Sequence, residues 1–404
     1  MEKYPLDSRP PFLPLEGTDP GRLFADLPSP AYVIDENQLA RNGQLLASVM
    51  EKSGCKILLA QKAFSNFAFY PLLAQYLAGT EASGLYEARL GREEMPTKEV
   101  HVFCGAYRED EFTELLDYAD HIVFNSIRQL KYFGPLAKKH GKSLGLRINP
   151  ERSTQEGHDI YDPCAPGSRL GVTRQVWDEE MDESTLTLLD GLHFHTLCEQ
   201  NSDDLETTLE AVSEKFGDVL PRMQWVNMGG GHHITRQDYD IERLCRCIEF
   251  AQKRWDVQVY LEPGEAVALN AGFMVTRVLD IVRNNGKKIA ILDASAACHM
   301  PDVIEMPYTP PLYNAQEKQD EAHPFLYRFG GPTCLSGDII GEYYLPRELE
   351  IGDLLTFGDM AIYTTCKNNT FNGMPLPNIW RWTPQRDFSP LTDFGYQDFK
   401  HRLG

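Results

Sequence analysis

In LLAQKAFSN (58–66) an apolar run suited to a buried strand ends on Lys62. Burying an ammonium is costly, so two readings compete: the side chain snorkels to water along its stem, or it is a desolvated amine able to condense with a carbonyl. Three other stretches divide in the same way. His195 in GLHFHT (191–196) is a hydrogen-bonded core residue or a flat face within a site. Gly229, Gly230 and Gly231 in QWVNMGGG (224–231) form a turn or a nest of N–H groups for phosphate. Glu262 in EPGE (262–265) is a strand terminator or a carboxylate that keeps a ring nitrogen protonated. An amine, a flat ring, a carboxylate and a phosphate nest are together the parts that pyridoxal phosphate requires.

These residues need elements to carry them. Eight short apolar stretches alternate with amphipathic segments: KILLAQ (56–61), TEASG (80–84), EVHVFCG (99–105), HIVFNS (121–126), LGLRINP (144–150), GLHFHT, QWVNMGGG and VQVYLEPG (257–264). The alternation predicts an α/β fold, a (β/α)8 barrel over 37–269, with chemistry at the C-terminal ends of its strands. An open doubly wound sheet is the alternative, because periodicity does not report closure. After residue 269 the texture turns to β-branched and aromatic runs such as GFMVTRVLDIVRN and DLLTFGDMAIYTT. That predicts a second, antiparallel β-sheet domain from residues 270–404, joined by 1–36 through SPAYVIDENQL (29–39).

A chain of 404 residues is long enough for about two cores. Its net charge of −20, from 59 acidic and 39 basic residues, excludes a nucleic-acid or anionic-membrane partner and favours small cationic ligands. There is no 18-residue apolar run, and the stretch MEKYPLDSRPPFLPLEG is proline-rich and charged without the apolar core of a signal peptide, so a cytoplasmic location is expected. Nine cysteines lie scattered without metal-knuckle spacing, so free thiols and no metal are expected.

In this combination and order, Lys62 in AQKAF, His195 in GLHFHT, Gly229 to Gly231 in NMGGGHH, Glu262 in EPGE, Cys334 in GPTCLSGD and Tyr363 in GDMAIYTT resemble the alanine-racemase-like pyridoxal-phosphate enzymes. Within them the likeness is to the ornithine and diaminopimelate decarboxylase group, over roughly residues 30–375. The resemblance implies a pyridoxal-phosphate decarboxylase in which Lys62 holds the cofactor and His195 stacks on its ring. It further implies that Glu262 faces the ring nitrogen, Gly229–Gly231 and Tyr363 hold the phosphate, and Cys334 donates a proton. A homodimer with shared active sites, built through the β domain, is implied as well. Where the commoner members read EPGR this chain reads EPGE, and Leu335 follows Cys334. With HMPDVIEMPY (299–308), these departures look like the polyamine branch and imply a small cationic carboxy-polyamine substrate, with Glu265, Asp302 and Asp338 as candidates for its amines. Decarboxylation of diaminopimelate, lysine or ornithine, amino-acid racemisation, and non-catalytic carriage of the cofactor are the alternatives.

Overall fold

Each of the eight apolar stretches forms a strand, and the strands close on themselves. The computed structural model describes residues 20–155 and 162–404, so most of the proline-rich start lies outside the described residues. It divides into two units: Arg41–Val267, and the described residues up to Ala40 together with Ala268–Gly404. In chain order, β1 (Ala31–Asp35) belongs to the latter. The barrel follows as β2 (Lys56–Ala60), β3 (Gly79–Ala82), β4 (Glu99–Phe103), β5 (His121–Phe124), β6 (Ser143–Arg147), β7 (Gly191–His193), β8 (Trp225–Asn227) and β9 (Gln258–Leu261). All neighbours pair in parallel, and β9 pairs with β2 to close the ring.

Helices between the strands bury one face each. Ile241–Trp255 shows the local logic: Asp240 caps it by accepting the Arg243 N–H, and Leu244, Cys245, Ile248, Ala251 and Trp255 form its buried stripe. Asp256 then ends it in the left-handed conformation, φ 55°. All nine cysteines are free thiols, as expected.

Inside the barrel the register stacks side chains in layers. Gly145, Gly191 and Trp225 are direct neighbours across β6, β7 and β8. The Trp225 indole lies over both glycines: a Cβ added at Gly191 would sit 2.1 Å from it and one at Gly145 2.4 Å. Its Nε1–H donates to Ser143 Oγ at 2.9 Å, and Leu58, Val123 and Tyr260 complete the cluster. Two residues further along each strand, Arg147, His193 and Asn227 form the next row, again in register. The alternation of a strand thus puts an apolar layer directly beneath a polar one.

The second unit holds β10 (Gly272–Asn284), β11 (Lys287–Leu292), β12 (Phe325–Gly330), β13 (Ile339–Leu345), β14 (Leu354–Gly358), β15 (Asn378–Trp382) and β16 (Phe388–Pro390). Its sheet runs β13-β12-β11-β10-β1-β15-β16, with β14 also on β10. It is mixed rather than purely antiparallel, because β1 pairs β15 and β11 pairs β12 in parallel. Parallel partners need long connections: 293–324 joins β11 to β12, and the whole barrel segment lies in sequence between β1 and β15. Phe24, Val33, Phe273, Val275 and Trp382 form a core cluster here.

The Trp225 layer gives a first test. Gly191→Ala drives a methyl group into the indole and should destabilise the protein by about 1–3 kcal/mol. In a Trp225→Phe background the loss should shrink well below that, as denaturant unfolding of the four members of the cycle will show. An equal loss in both backgrounds would contradict the packing described.

Candidate active site

The C-terminal strand ends surround a cavity of about 230 Å3 lined by Lys62, Glu81, Phe103, Arg147, His193, His195 and Glu262, among others. Lys62 is not the last residue of its strand: β2 stops at Ala60, and Lys62 follows in a turn closed by the Ala63 N–H donating to Ala60 O at 3.2 Å. Gln61 anchors that turn, accepting the Tyr70 hydroxyl at 3.0 Å and donating to Glu87 O at 2.8 Å. The glycine of EPGE has a matching reason, since a Cβ at Gly264 would lie 2.5 Å from that of Ala63.

Glu262 is buried one residue beyond β9. Its Oε2 is 3.0 Å from His193 Nε2 and its Oε1 accepts from Asn227 Nδ2 at 2.5 Å. Burial alone would push this carboxyl up, but its interaction with His193, then with His101 and the Asn227 amide, outweighs that and holds Glu262 below the usual carboxylate range. His193 is the neutral partner. Burial pushes its pKa down, and its Nδ1 is buried with no hydrogen-bond partner, so a second proton there would be unsolvated. Glu81, buried at the end of β3, takes the opposite course: burial and then the charge of Glu262 raise it well above the usual range. The pair is thereby split into one ionised and one protonated carboxyl.

His195 lies two residues beyond β7, and its Nδ1 accepts the Gly230 N–H at 2.8 Å. Burial, then Lys62 and Arg147, drive its pKa well below the ordinary value. It is therefore a neutral ring with its proton on Nε2. Arg147 is buried at the end of β6; burial lowers it to about 10, still a cation at neutral pH. Its guanidinium lies over Phe103, 4.6 Å from the centroid, and Phe103 stacks on His193 at 5.4 Å and 15°. The Arg147 Nη2–H also donates to His195 O at 3.1 Å.

The glycine triplet differs from the expected open nest. The Gly229 N–H donates to Asn227 Oδ1 at 2.9 Å and that of Gly230 to His195 Nδ1, so two of the three amides serve the barrel itself. Glycine is needed because the backbones touch: a Cβ at Gly230 would sit 2.5 Å from Glu262 O and one at Gly231 2.1 Å from Leu197 O. Glu265 opens a short helix and pairs with His233 of the same GGGHH stretch, Oε2 to Nε2 2.9 Å.

The remaining candidates belong to the second unit. Cys334 is exposed, and its N–H donates to Asn372 Oδ1 at 2.7 Å. Tyr363 adopts a left-handed backbone, φ 49°. Asp338 corrects the expectation of an amine-binding carboxylate. It is buried and accepts from Ser295 Oγ at 2.9 Å, Thr333 Oγ1 at 2.6 Å and Ala297 N at 3.2 Å, which makes it a loop anchor. Asp302 is bonded to Lys367, which also holds Glu305, so a cation already occupies it.

Sequence reading missed Glu81, Arg147, His193 and Asn227. The signal was the one used for Lys62, a polar residue closing an apolar strand, as in TEA, LRIN, LHF and VNM. For an expected pyridoxal-phosphate site the fit is good: an ionised buried carboxylate, a neutral planar ring and an amine face one cavity.

Residues 31–361 match the family model described as pyridoxal-dependent decarboxylase, C-terminal sheet domain. The chain is 42% identical over 388 residues to a carboxynorspermidine/carboxyspermidine decarboxylase of Campylobacter jejuni, covering 94% of this chain and 99% of that one. It is 38% identical over 382 residues to a carboxyaminopropylagmatine decarboxylase of Synechocystis, covering 94% and 97%. The crystal structure of carboxynorspermidine decarboxylase complexed with norspermidine from Campylobacter jejuni superposes with a TM-score of 0.84 at 42% identity, over 93% of this chain and 100% of that one.

A neutral His195 is directly observable. Its ring resonances in NMR spectra of histidine-labelled protein should stay flat as pH falls from about 8 through the ordinary histidine midpoint of about 6.5. A titration centred near that midpoint would contradict the arrangement with Gly230, Lys62 and Arg147.

Proposed function

Because the chain belongs to the pyridoxal-dependent decarboxylase family, we propose that it removes the carboxylate of carboxynorspermidine or carboxyspermidine, giving norspermidine or spermidine in polyamine biosynthesis. The observation that carries this reading is 42% identity to an enzyme named for those two substrates, over 99% of its length. The charge of −20 suits a polycationic substrate. We place the reaction in the cytoplasm, in keeping with the absence, among the described residues, of a helix long and apolar enough to cross a membrane.

Pyridoxal phosphate, when bound, supplies an electron sink for the pair left behind by the departing carboxylate. In this reading Lys62 would be the amine that holds it, and the neutral His195 ring would serve its flat face. Glu262 presents a fixed negative charge to its ring nitrogen, with His193 and Asn227 as the donors that keep that charge in place. Gly231 and Tyr363 serve the phosphate, with Gly229 and Gly230 shaping the turn. Cys334 carries the proton that replaces the carboxylate, from Sγ to the α-carbon, and it does so from the second subunit of a homodimer. Glu265 receives an ammonium of the polyamine tail, its carboxylate steered by His233.

A second substrate is favoured by one observation, the 38% identity to the carboxyaminopropylagmatine enzyme. Agmatine ends in a guanidinium where norspermidine ends in an ammonium. A carboxylate such as Glu265 can accept from either.

Carbon dioxide release from purified enzyme, measured on the three carboxy-polyamines and on diaminopimelate, lysine and ornithine, tests the assignment. A carboxy-polyamine should turn over with far higher kcat/KM than any short amino acid; preference for diaminopimelate would overturn it. In Glu265→Gln the loss of one charged partner costs about 1.5–3 kcal/mol, or about 10- to 150-fold in kcat/KM at about 1.4 kcal/mol per decade. That loss should fall on the polyamine substrates while cofactor content is retained. Shedding of the cofactor instead would assign Glu265 to the cofactor's surroundings.

A further inference from the structure

Below the catalytic layer, the barrel interior contains a second cluster of ionisable groups that the decarboxylase reading does not use. Glu99 is the first residue of β4 and His101 the third, so both side chains point to the same face. His121, the first residue of β5, is the direct cross-strand partner of His101. The two imidazoles stack with centroids 3.9 Å apart and planes 9° apart. Glu99 Oε2 lies 3.1 Å from His101 Nε2. Donor atoms of Glu99, His101 and His121 all fall within 4.8 Å of one another. None of the three lines the cavity at the barrel mouth.

Hydrogen bonding leaves part of this cluster unexplained. His101 is fully buried, yet among the described residues its Nδ1 has no partner, and neither does Nδ1 of His121. For His101 that orphan is the ring nitrogen opposite the one facing Glu99, so it is not itself the ligand atom.

We propose that Glu99, His101 and His121 form a binding site for one divalent transition-metal ion of the zinc, cobalt and nickel class. Two nitrogens and one carboxylate oxygen select that class over magnesium or calcium, which favour all-oxygen sites. With metal–ligand bonds of about 2.0–2.2 Å, neighbouring ligand atoms of a tetrahedral site sit about 3.4 Å apart. The 3.1 Å between Glu99 and His101 is already close to that spacing, whereas His121, stacked parallel to His101, has to rotate out of the stack to turn a ring nitrogen toward the same ion. The ion takes the place of the proton shared by Glu99 Oε2 and His101 Nε2. Glu99 and His121 are only partly buried, so the fourth position faces solvent.

Lys56 is the natural competitor. Its amine bonds Glu99 Oε1 and lies 3.3 Å from the Tyr260 hydroxyl, leaving Oε2 to the histidine side. The expectation of no metal rested on cysteine spacing, which says nothing about a histidine pair formed by strand register.

Equilibrium dialysis of the holoenzyme against cobalt(II) and zinc(II), with bound metal counted by mass spectrometry, tests the site. The wild-type protein should take up one equivalent saturably, and Cys334→Ser, which removes an exposed thiol, should bind equally well. Glu99→Gln and His121→Asn should each weaken binding about 100-fold or more, at or beyond the upper end of the roughly 10- to 100-fold typical of outer-shell partners. Lys56→Met keeps every ligand and removes the competing cation, so it should bind several-fold more tightly. That gain separates loss of a ligand from loss of the fold. Absence of a saturable equivalent, or equal uptake by wild type and all three of these variants, would overturn the proposal.

Discussion

A carboxylate buried inside a protein normally takes up a proton. Glu262 does not, because two strands deliver donors to it just past the end of β9: His193 closes β7 and Asn227 closes β8. The barrel is what makes this possible. In-register parallel pairing puts Arg147, His193 and Asn227 in one row, and the glycines beneath that row yield to Trp225. The charge arrangement at the mouth therefore depends on packing one layer down.

The surroundings follow from that one charge. Burial, and then the charge of Glu262, raise neighbouring Glu81 well above the usual carboxylate range. His193 and His195 are kept neutral by burial and by the cations Lys62 and Arg147. Each histidine then has a defined tautomer, one set by Glu262 and the other by the Gly230 N–H. The glycine triplet has two functions in this scheme. It orients His195, and it lets the backbone approach Glu262 and Leu197 closely.

Much of this was legible in the sequence. The eight apolar stretches mark the eight barrel strands to within a few residues at their ends, because parallel strands buried on both faces read as continuous apolar runs. Lys62, His195 and Glu262 stood out because polar residues at the ends of such runs are conspicuous. His193 closes its strand as well, but it becomes meaningful only when β9 brings Glu262 beside it, 69 residues later. Asp338 misled for the same reason: its partner Ser295 is 43 residues away, and nothing local shows that its lone pairs are already engaged. The mixed pairing of the second sheet was equally hidden, since strand texture carries no information about direction.

The protonation pattern around Glu262 can be seen directly by neutron diffraction from deuterium-exchanged crystals at neutral pH. The expected map shows deuterium on His193 Nε2, none on His193 Nδ1 and none on either oxygen of Glu262. A deuteron on Glu262, or a doubly protonated His193, would contradict the claim that two neutral donors hold a buried carboxylate ionised at the barrel mouth.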